Sequence, residues 1–195
     1  LMSVKKYYQL AKFKLFKICR SITGNGITLS LKIIKKKLPG LKIKKIKCGT
    51  KVFDWKIPPE WNVYDAYVLD HKQEKIIDFK KNNLHLVNFS TPVKMRVKKK
   101  ELLKKIFTLK KQPKAIPYVT SYYKKNWGFC VSENYKKKVL DKYGDNSFFD
   151  VKIDTKFNYK GNLRYGEYFI KGKKNIKKMI NFLLKLIVNL NQRGC

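Results

Sequence analysis

Arginine, acidic residues and alanine are scarce in this sequence of 195 residues. Aspartate and glutamate number 13 against 47 lysines and arginines, a formal net charge of +34, yet only four of the 47 cations are arginine. Proteins that recognise base edges, and sites that bind phosphate through two hydrogen bonds, favour the guanidinium group of arginine. The shortage of arginine therefore argues against a specific nucleic-acid partner. Lysine, isoleucine and asparagine, which adenine- and thymine-rich codons specify, are abundant instead. The positive charge is therefore interpreted as a result of the base composition of the genome, displayed on solvent-exposed faces of the protein. We expect only weak, salt-sensitive binding to polyanions.

Cysteine and histidine are few and widely spaced. No Cys-x-x-Cys pair and no Cys/His cluster occurs, so the pattern excludes the usual structural zinc motif and a disulfide framework. Free thiols in a reducing cytoplasm fit this spacing. The residues concerned are Cys19, Cys48, Cys130, Cys195, His71 and His85.

Long uninterrupted apolar runs are absent. Leu1 to Leu15 alternates lysines with apolar residues and has no signal-peptide core. The longest apolar stretch, Met179 to Leu190, is interrupted by Lys185 and is shorter than the about 20 residues that a membrane span needs. We therefore expect no transmembrane segment and a cytoplasmic location.

The apolar and aromatic residues that are present, 44% and 14% of the chain, suffice for a folded core. Apolar residues at helical spacing predict a helix ending near Cys19 and a second from Ile27 to Leu38. A Gly-Asn-Gly turn precedes the second helix, with Asn25 as its expected cap. Alternation from Leu41 to Lys47 predicts a strand.

From Lys51 to about Tyr159, short β-like runs and turn residues predominate. Helices and strands mix there without regular βαβ alternation, which indicates the α+β class. The predicted elements are a hairpin (Val63–Leu69 and Lys75–Phe79), strands at Leu84–Phe89, Phe148–Ile153 and Leu163–Ile170, extended segments at Tyr118–Tyr123 and Phe129–Val131, a helix at Leu102–Leu109, and a helix capped by Ser132.

Seven short motifs follow one another between Leu15 and Gly172 and together are more specific than any single chemical signature. This series resembles a bacterial family of aminopeptidase-like proteins of the zinc-exopeptidase type, which contains a domain of unknown function. The motifs are LFKICRSITGNG (Leu15–Gly26), GTKVFDW (Gly49–Trp55), PEWNV (Pro59–Val63), NLHLV (Asn83–Val87), IPYVTSYY (Ile116–Tyr123), WGFC (Trp127–Cys130) and YGEY (Tyr165–Tyr168).

The resemblance implies a split architecture. The family's α/β peptidase core, a mixed sheet with helices on both faces, carries a β-rich insertion near its start and is followed by a winged helix. In this sequence, residues 1–52 would supply the first helices and strand of the core, 53–160 the inserted α+β domain and 161–172 the strand that returns to the core. Residues 173–195 form a divergent tail. The chain is thus expected to be an N-terminal fragment: an incomplete zinc-exopeptidase-like core with a β-rich insertion.

The resemblance also implies a zinc site, with a Cys-His-Pro-type motif and then an Asn-Asp pair just after Gly172. Neither occurs, and the remaining residues contain no histidine and no acid. A catalytic zinc needs about three protein ligands and a general base. We therefore assign no catalytic, metal-binding or cofactor-binding residue to this chain and expect zinc, and a peptide or small amide substrate, only in intact relatives. A truncation or a change of reading frame near Lys173 would explain why these zinc-site motifs do not occur. The possibility that the protein forms a homo-oligomer stays open.

The histidines and the isolated acids are interpreted as structural. His71 is expected in a solvated turn beside Asp70, and His85 in an alternating strand; a zinc site would require Asp78 or Glu167 to lie near both. Glu167 could approach the active-site cleft of an intact enzyme, but a solitary acid is a weak signal.

Two other motifs have functional alternatives. Asp54–Trp55 and Glu60–Trp61 suggest stacking on a sugar, although a core role for the tryptophans and a turn role for the acids are favoured. Ser21–Gly26 could hold a phosphate at a helix start but matches no phosphate-loop fingerprint. Cys130 has no evident basic partner.

Two other functions stay open for the whole chain. The β-rich insertion could be a non-enzymatic module that recognises a peptide or a carbohydrate, and, less favoured, the protein could bind nucleic acid. The tail has apolar residues at helical spacing, which fits a membrane-surface helix, a core-covering helix or an out-of-frame sequence. These residues are Ile176, Ile180, Leu183, Ile187 and Leu190.

Overall fold

The computed structural model describes residues 3–171 and 177–182, in which helices and strands are mixed as the α+β prediction requires. These residues form two units: unit 1 comprises residues 3–62, 157–171 and 177–182, and unit 2 comprises residues 63–156. The elements are α1 (Val4–Leu10, continued by a π-helical segment, Ala11–Leu15), α2 (Asn25–Lys37), β1 (Lys42–Lys47), β2 (Lys51–Val52), β3 (Trp55–Lys56), β4 (Glu60–Leu69), β5 (Lys75–Asp78), a 3-10 turn (Asn83–His85), β6 (Val93–Lys98), α3 (Lys99–Leu103), β7 (Ile106–Phe107), β8 (Phe129–Cys130), α4 (Glu133–Tyr135, continued by a π-helical segment, Lys136–Leu140), β9 (Phe148–Asn158), β10 (Asn162–Lys171) and β11 (Lys177–Phe182).

Unit 1 is built around α2 and a three-stranded antiparallel sheet of order β1-β10-β11. Ile27 and Leu31 on α2 are buried, as its helical spacing predicts. Gly166 on β10 allows close packing, because a Cβ there would lie 3.1 Å from side-chain atoms of both Leu31 and Leu41. The sheet therefore pairs β1 with a strand more than a hundred residues later in the chain.

Unit 2 contains a four-stranded sheet of order β5-β4-β9-β6. Strand alternation places Phe149, Val151 and Ile153 of β9 in the core, each 2% exposed or less. The predicted hairpin is confirmed, since β4 and β5 pair antiparallel. Ser132 caps α4 as predicted, its hydroxyl accepting a hydrogen bond from the main-chain nitrogen of Tyr135 at 3.1 Å.

Two predicted elements of unit 2 are wrong. The strand predicted at Leu84–Phe89 is a 3-10 turn followed by an irregular segment in which Phe89 has a φ of 64°. Its main-chain groups bind separate loops rather than one neighbouring strand: Val87 N donates to Gly128 O, and Asn88 N to Val119 O. The helix predicted at Leu102–Leu109 ends at Leu103, because the chain then pairs in parallel with β8.

The tail is described only in part. Residues 177–182, which include Ile180 of the predicted helical stripe, form β11 and pair antiparallel with β10. Ile176, Leu183, Ile187 and Leu190 lie outside the described residues. Within those residues, no helix has the length and apolar character to cross a membrane.

Candidate functional site

Asp70 organises the turn between β4 and β5 in unit 2. Its Oδ1 accepts hydrogen bonds from the main-chain nitrogens of Lys72 and Glu74, both at 2.9 Å, and its Oδ2 accepts one from the hydroxyl of Tyr143 at 3.0 Å. Burial works against ionisation, but these hydrogen bonds outweigh it and lower the pKa of Asp70. Burial and the adjacent Asp70 carboxylate raise the pKa of Tyr143 to about 12. These hydrogen bonds therefore hold the turn around the ionised carboxylate of Asp70.

His71 lies in this turn, exposed to solvent, and its ring meets Tyr143 edge-on with the centroids 6.3 Å apart. The imidazole borders an open cleft of about 490 Å³, whose other walls come from β6 and from the loop before β9. Sequence reasoning missed this cleft because its walls come from three separated segments. The lining residues are His71, Arg96, Gly144, Asn146, Ser147 and Phe148.

His85 lies within unit 2 in the 3-10 turn, and not in a strand as predicted. Its Nδ1 is 2.8 Å from the carbonyl oxygen of Cys130, and its ring lies against Tyr135 with the centroids 6.4 Å apart. Burial lowers the pKa of His85, so the neutral imidazole is favoured. This histidine thus has a hydrogen-bond partner and a packing role.

The donor groups of the described residues do not fit a zinc ion. Across residues 3–171 and 177–182, no three or more histidine, cysteine, aspartate or glutamate side chains come together as a metal site would require. Cys130 is fully buried, and burial raises the pKa of its thiol to about 12, which disfavours the thiolate that binds metals.

Several residues of unit 1 bind the carboxylate of Glu60. Its Oε1 accepts hydrogen bonds from Arg164 Nη1 at 2.5 Å and from the main-chain nitrogen of Asn162 at 3.0 Å, while Oε2 accepts one from Asn158 Nδ2 at 3.3 Å. Burial opposes ionisation, yet these partners lower the pKa of Glu60. Gly161 makes room for the carboxylate, because a Cβ there would lie 2.4 Å from it. Glu60 therefore ties the β9–β10 connection to β4.

Trp55 and Trp61, the neighbours of Asp54 and Glu60, do not present an open aromatic face on which a sugar could stack. Trp61 is only 3% exposed and Trp55 is half-buried. The carboxylate of Glu60 binds residues of the β9–β10 connection. This supports a structural role for Glu60–Trp61 rather than a role in sugar binding.

The loop Ser21–Gly26 leads into α2 and is bound to the start of β4. Thr23 Oγ1 donates to the carbonyl oxygen of Pro59 at 2.8 Å, and the main-chain nitrogen of Asn25 donates to Asn62 Oδ1 at 2.7 Å. The predicted cap, Asn25, is thus wrong: Gly24 occupies the cap position with a φ of 90°, and the capping oxygen comes from Asn62. This arrangement supports a structural loop rather than a phosphate cradle.

Glu167 lies on β10, opposite Lys42 of β1 and Asn181 of β11. Burial raises the pKa of Tyr165, and the charge and hydrogen bonding of Glu167 raise it further. The carboxylate is therefore engaged by a neighbour on its own strand.

Comparison with known proteins supports the peptidase-like resemblance at a coarse level. Residues 60–156 match the model of a domain of unknown function, DUF2172. A Clostridium acetobutylicum protein, named as a candidate polysaccharide biosynthesis protein with an aminopeptidase-like domain, is 47% identical over 159 residues, which are 82% of this chain and 35% of that protein.

A solved structure gives the same relationship in three dimensions. The crystal structure of a candidate peptidase from Clostridium acetobutylicum aligns with a TM-score of 0.77 and 46% identity, covering 86% of this chain and 38% of the other. The chain thus spans just over a third of the length of each protein it matches. It contains a match to DUF2172 and is similar to an aminopeptidase-like protein over most of its length.

Proposed function

We propose that this chain forms part of an aminopeptidase-like protein of the zinc-exopeptidase type. The intact protein would hydrolyse the amide bond at the end of a peptide, or that of a small amide. The observation that carries the proposal is sequence identity of 46–47% over more than four fifths of the chain to a protein named for an aminopeptidase-like domain and to a structure named as a candidate peptidase. The zinc type rests on the resemblance of the seven motifs.

In this proposal, residues 53–160 are an insertion into the peptidase-like core, to which residues 1–52 and 161–172 belong. Two observations support it. Unit 2 and the DUF2172 match end at the same residue, Lys156, and begin within three residues of each other. Unit 1 draws on sequence from both sides of unit 2, because β1 pairs with β10.

The chain by itself is proposed to be catalytically silent. The described residues bring together no set of donor side chains that could hold a metal ion. The raised pKa of the Cys130 thiol also disfavours the thiolate form that binds metals. A hydrolytic site would therefore have to come from residues outside the described ranges or from sequence that the longer relatives possess. The free thiols of Cys19, Cys48 and Cys130 support the cytoplasmic location.

A hydrolysis assay tests this proposal. The 195-residue chain and the full-length Clostridium acetobutylicum relative would be incubated with a panel of aminoacyl p-nitroanilides, with and without a chelator. We expect the relative to release nitroaniline in a chelator-sensitive manner and the chain to match the buffer rate. Chelator-sensitive hydrolysis by the chain would overturn its silence, and no hydrolysis by the relative would overturn the peptidase proposal.

A further inference from the structure

The cleft of unit 2 is lined by few residue types of the kind that dominates the sequence. Lysine accounts for 43 of the 195 residues, 47 lysines and arginines less four arginines, yet none of the six lining residues is lysine. The walls instead present a guanidinium group, an imidazole, an amide, a hydroxyl and an aromatic ring. The cleft volume of about 490 Å³ lies within the usual range for small-ligand sites.

The charge of Arg96 in the cleft wall is balanced. Arg96 and Asp150 are direct partners in the β6–β9 register, with Nε 3.0 Å from Oδ1 and Nη2 3.3 Å from Oδ2. Gln73 Nε2 also donates to Asp150 Oδ2, at 3.1 Å. Asp150 therefore balances the charge of Arg96, and the pair offers planar donors and acceptors that suit neighbouring hydroxyl groups.

The buried cation Lys99 holds the loop that forms another wall of the cleft. Lys99, 8% exposed, donates from Nζ to the carbonyl oxygen of Tyr143 at 2.5 Å and to that of Asp141 at 3.4 Å. The main-chain nitrogen of Lys99 donates to the carbonyl oxygen of Ser147 at 2.9 Å. With Asp70 fixing the turn that carries His71, the walls are positioned before any ligand arrives.

Phe148 supplies an apolar surface beside these polar groups. Its side chain is 45% exposed at the start of β9, although the residue that follows it, Phe149, lies in the core. The ammonium group of Lys98 lies over the Phe148 ring, 5.9 Å from its centroid, so a ligand that stacks on Phe148 would share the ring with this cation. A pyranose ring has an apolar C–H face and a rim of hydroxyl groups, so it can stack on an aromatic ring while its hydroxyls meet planar polar side chains. We propose that this cleft binds a neutral pyranose unit of a saccharide.

Saturation-transfer NMR on the 195-residue chain tests the proposal. The probes are glucose, galactose, mannose, N-acetylglucosamine and their common disaccharides, in about 0.15 M salt. At least one probe is expected to receive saturation through the C–H protons of one ring face, and Phe148→Ala to weaken its binding about tenfold. Tyr123→Ala, which removes an aromatic side chain that is 80% exposed elsewhere in unit 2, is the matched control and leaves binding within about twofold.

Asn146→Ala provides a second variant if Phe148→Ala does not fold, and it is expected to weaken binding in the same direction. Raising the salt to about 0.5 M is expected to leave the affinity unchanged, because a neutral ligand releases no counterions. The proposal is overturned if no probe binds, if the folded cleft variants bind as well as the original chain, or if salt abolishes binding. None of these results depends on peptidase activity, so this proposal and the proposed function fail separately.

Discussion

Glu60 and Asp70 each keep a buried carboxylate ionised by surrounding it with donors. Glu60 is bound by Arg164 and two asparagines, and Asp70 by two main-chain nitrogens and Tyr143. The sequence reveals little of either arrangement, because Glu60 and Arg164 are 104 residues apart and Asp70 and Tyr143 are 73 apart. Only the fold brings such partners together, whereas the local turn role of Asp70 could be predicted.

Replacing Glu60 with glutamine is expected to destabilise unit 1 by about 2–4 kcal/mol, because the change leaves Arg164 partly buried without its counter-charge. Urea unfolding followed by tryptophan fluorescence would measure the loss. The matched control is Glu101→Gln, which removes an exposed i,i+3 pair with Lys104 and should leave the midpoint unchanged. Equal midpoints for the Glu60 variant and the original chain would refute the role given to this residue.

The contribution of Asp70 is expected to depend on pH. Since folding lowers its pKa, its stabilisation is fully present above the pKa of the unfolded chain, about 3.9, and is lost as the pH falls through the folded value. The difference in unfolding free energy between the original chain and Asp70→Asn should therefore be largest at neutral pH and shrink below about pH 4. A difference that stays constant down to pH 3 would contradict this account.

At the scale of elements, sequence patterns predicted α2, β9, β10 and the β4–β5 hairpin. Burial follows the predicted period in α2, through Ile27 and Leu31, and in β9, where Phe149, Val151 and Ile153 are buried. The same reasoning failed at Leu84–Phe89. Leu86, Val87 and Phe89 are all buried there, although the segment is irregular and its main chain binds separate loops. Alternating apolar residues cannot distinguish such a segment from a strand.

The start of α2 gives a prediction at this scale. Gly24 has a φ of 90°, and a Cβ there would lie 2.2 Å from the carbonyl oxygen of Trp61. Gly24→Ala should therefore destabilise unit 1 by about 2 kcal/mol or more. Gly144→Ala is the matched control, since the nearest atom to its added Cβ would be 4.0 Å away. Thermal unfolding compares the two, and equal melting temperatures would refute the strain at Gly24.

The whole molecule carries a formal net charge of +34, which is interpreted as a solvated surface rather than a reader of nucleic acid. Fluorescence anisotropy with DNA and RNA duplexes of different sequence should show binding at low salt, no sequence preference, and loss by about 0.2 M salt. Binding that survives at that salt and distinguishes sequences would contradict this interpretation.

Zinc titration by calorimetry tests the central claim most directly, because hydrolytic metal chemistry requires a donor set that the described residues do not assemble. The metal-free chain, without an affinity tag, is expected to give no one-to-one site tighter than about micromolar. A stoichiometric site of submicromolar affinity, lost on replacing His71 or His85, would contradict the account.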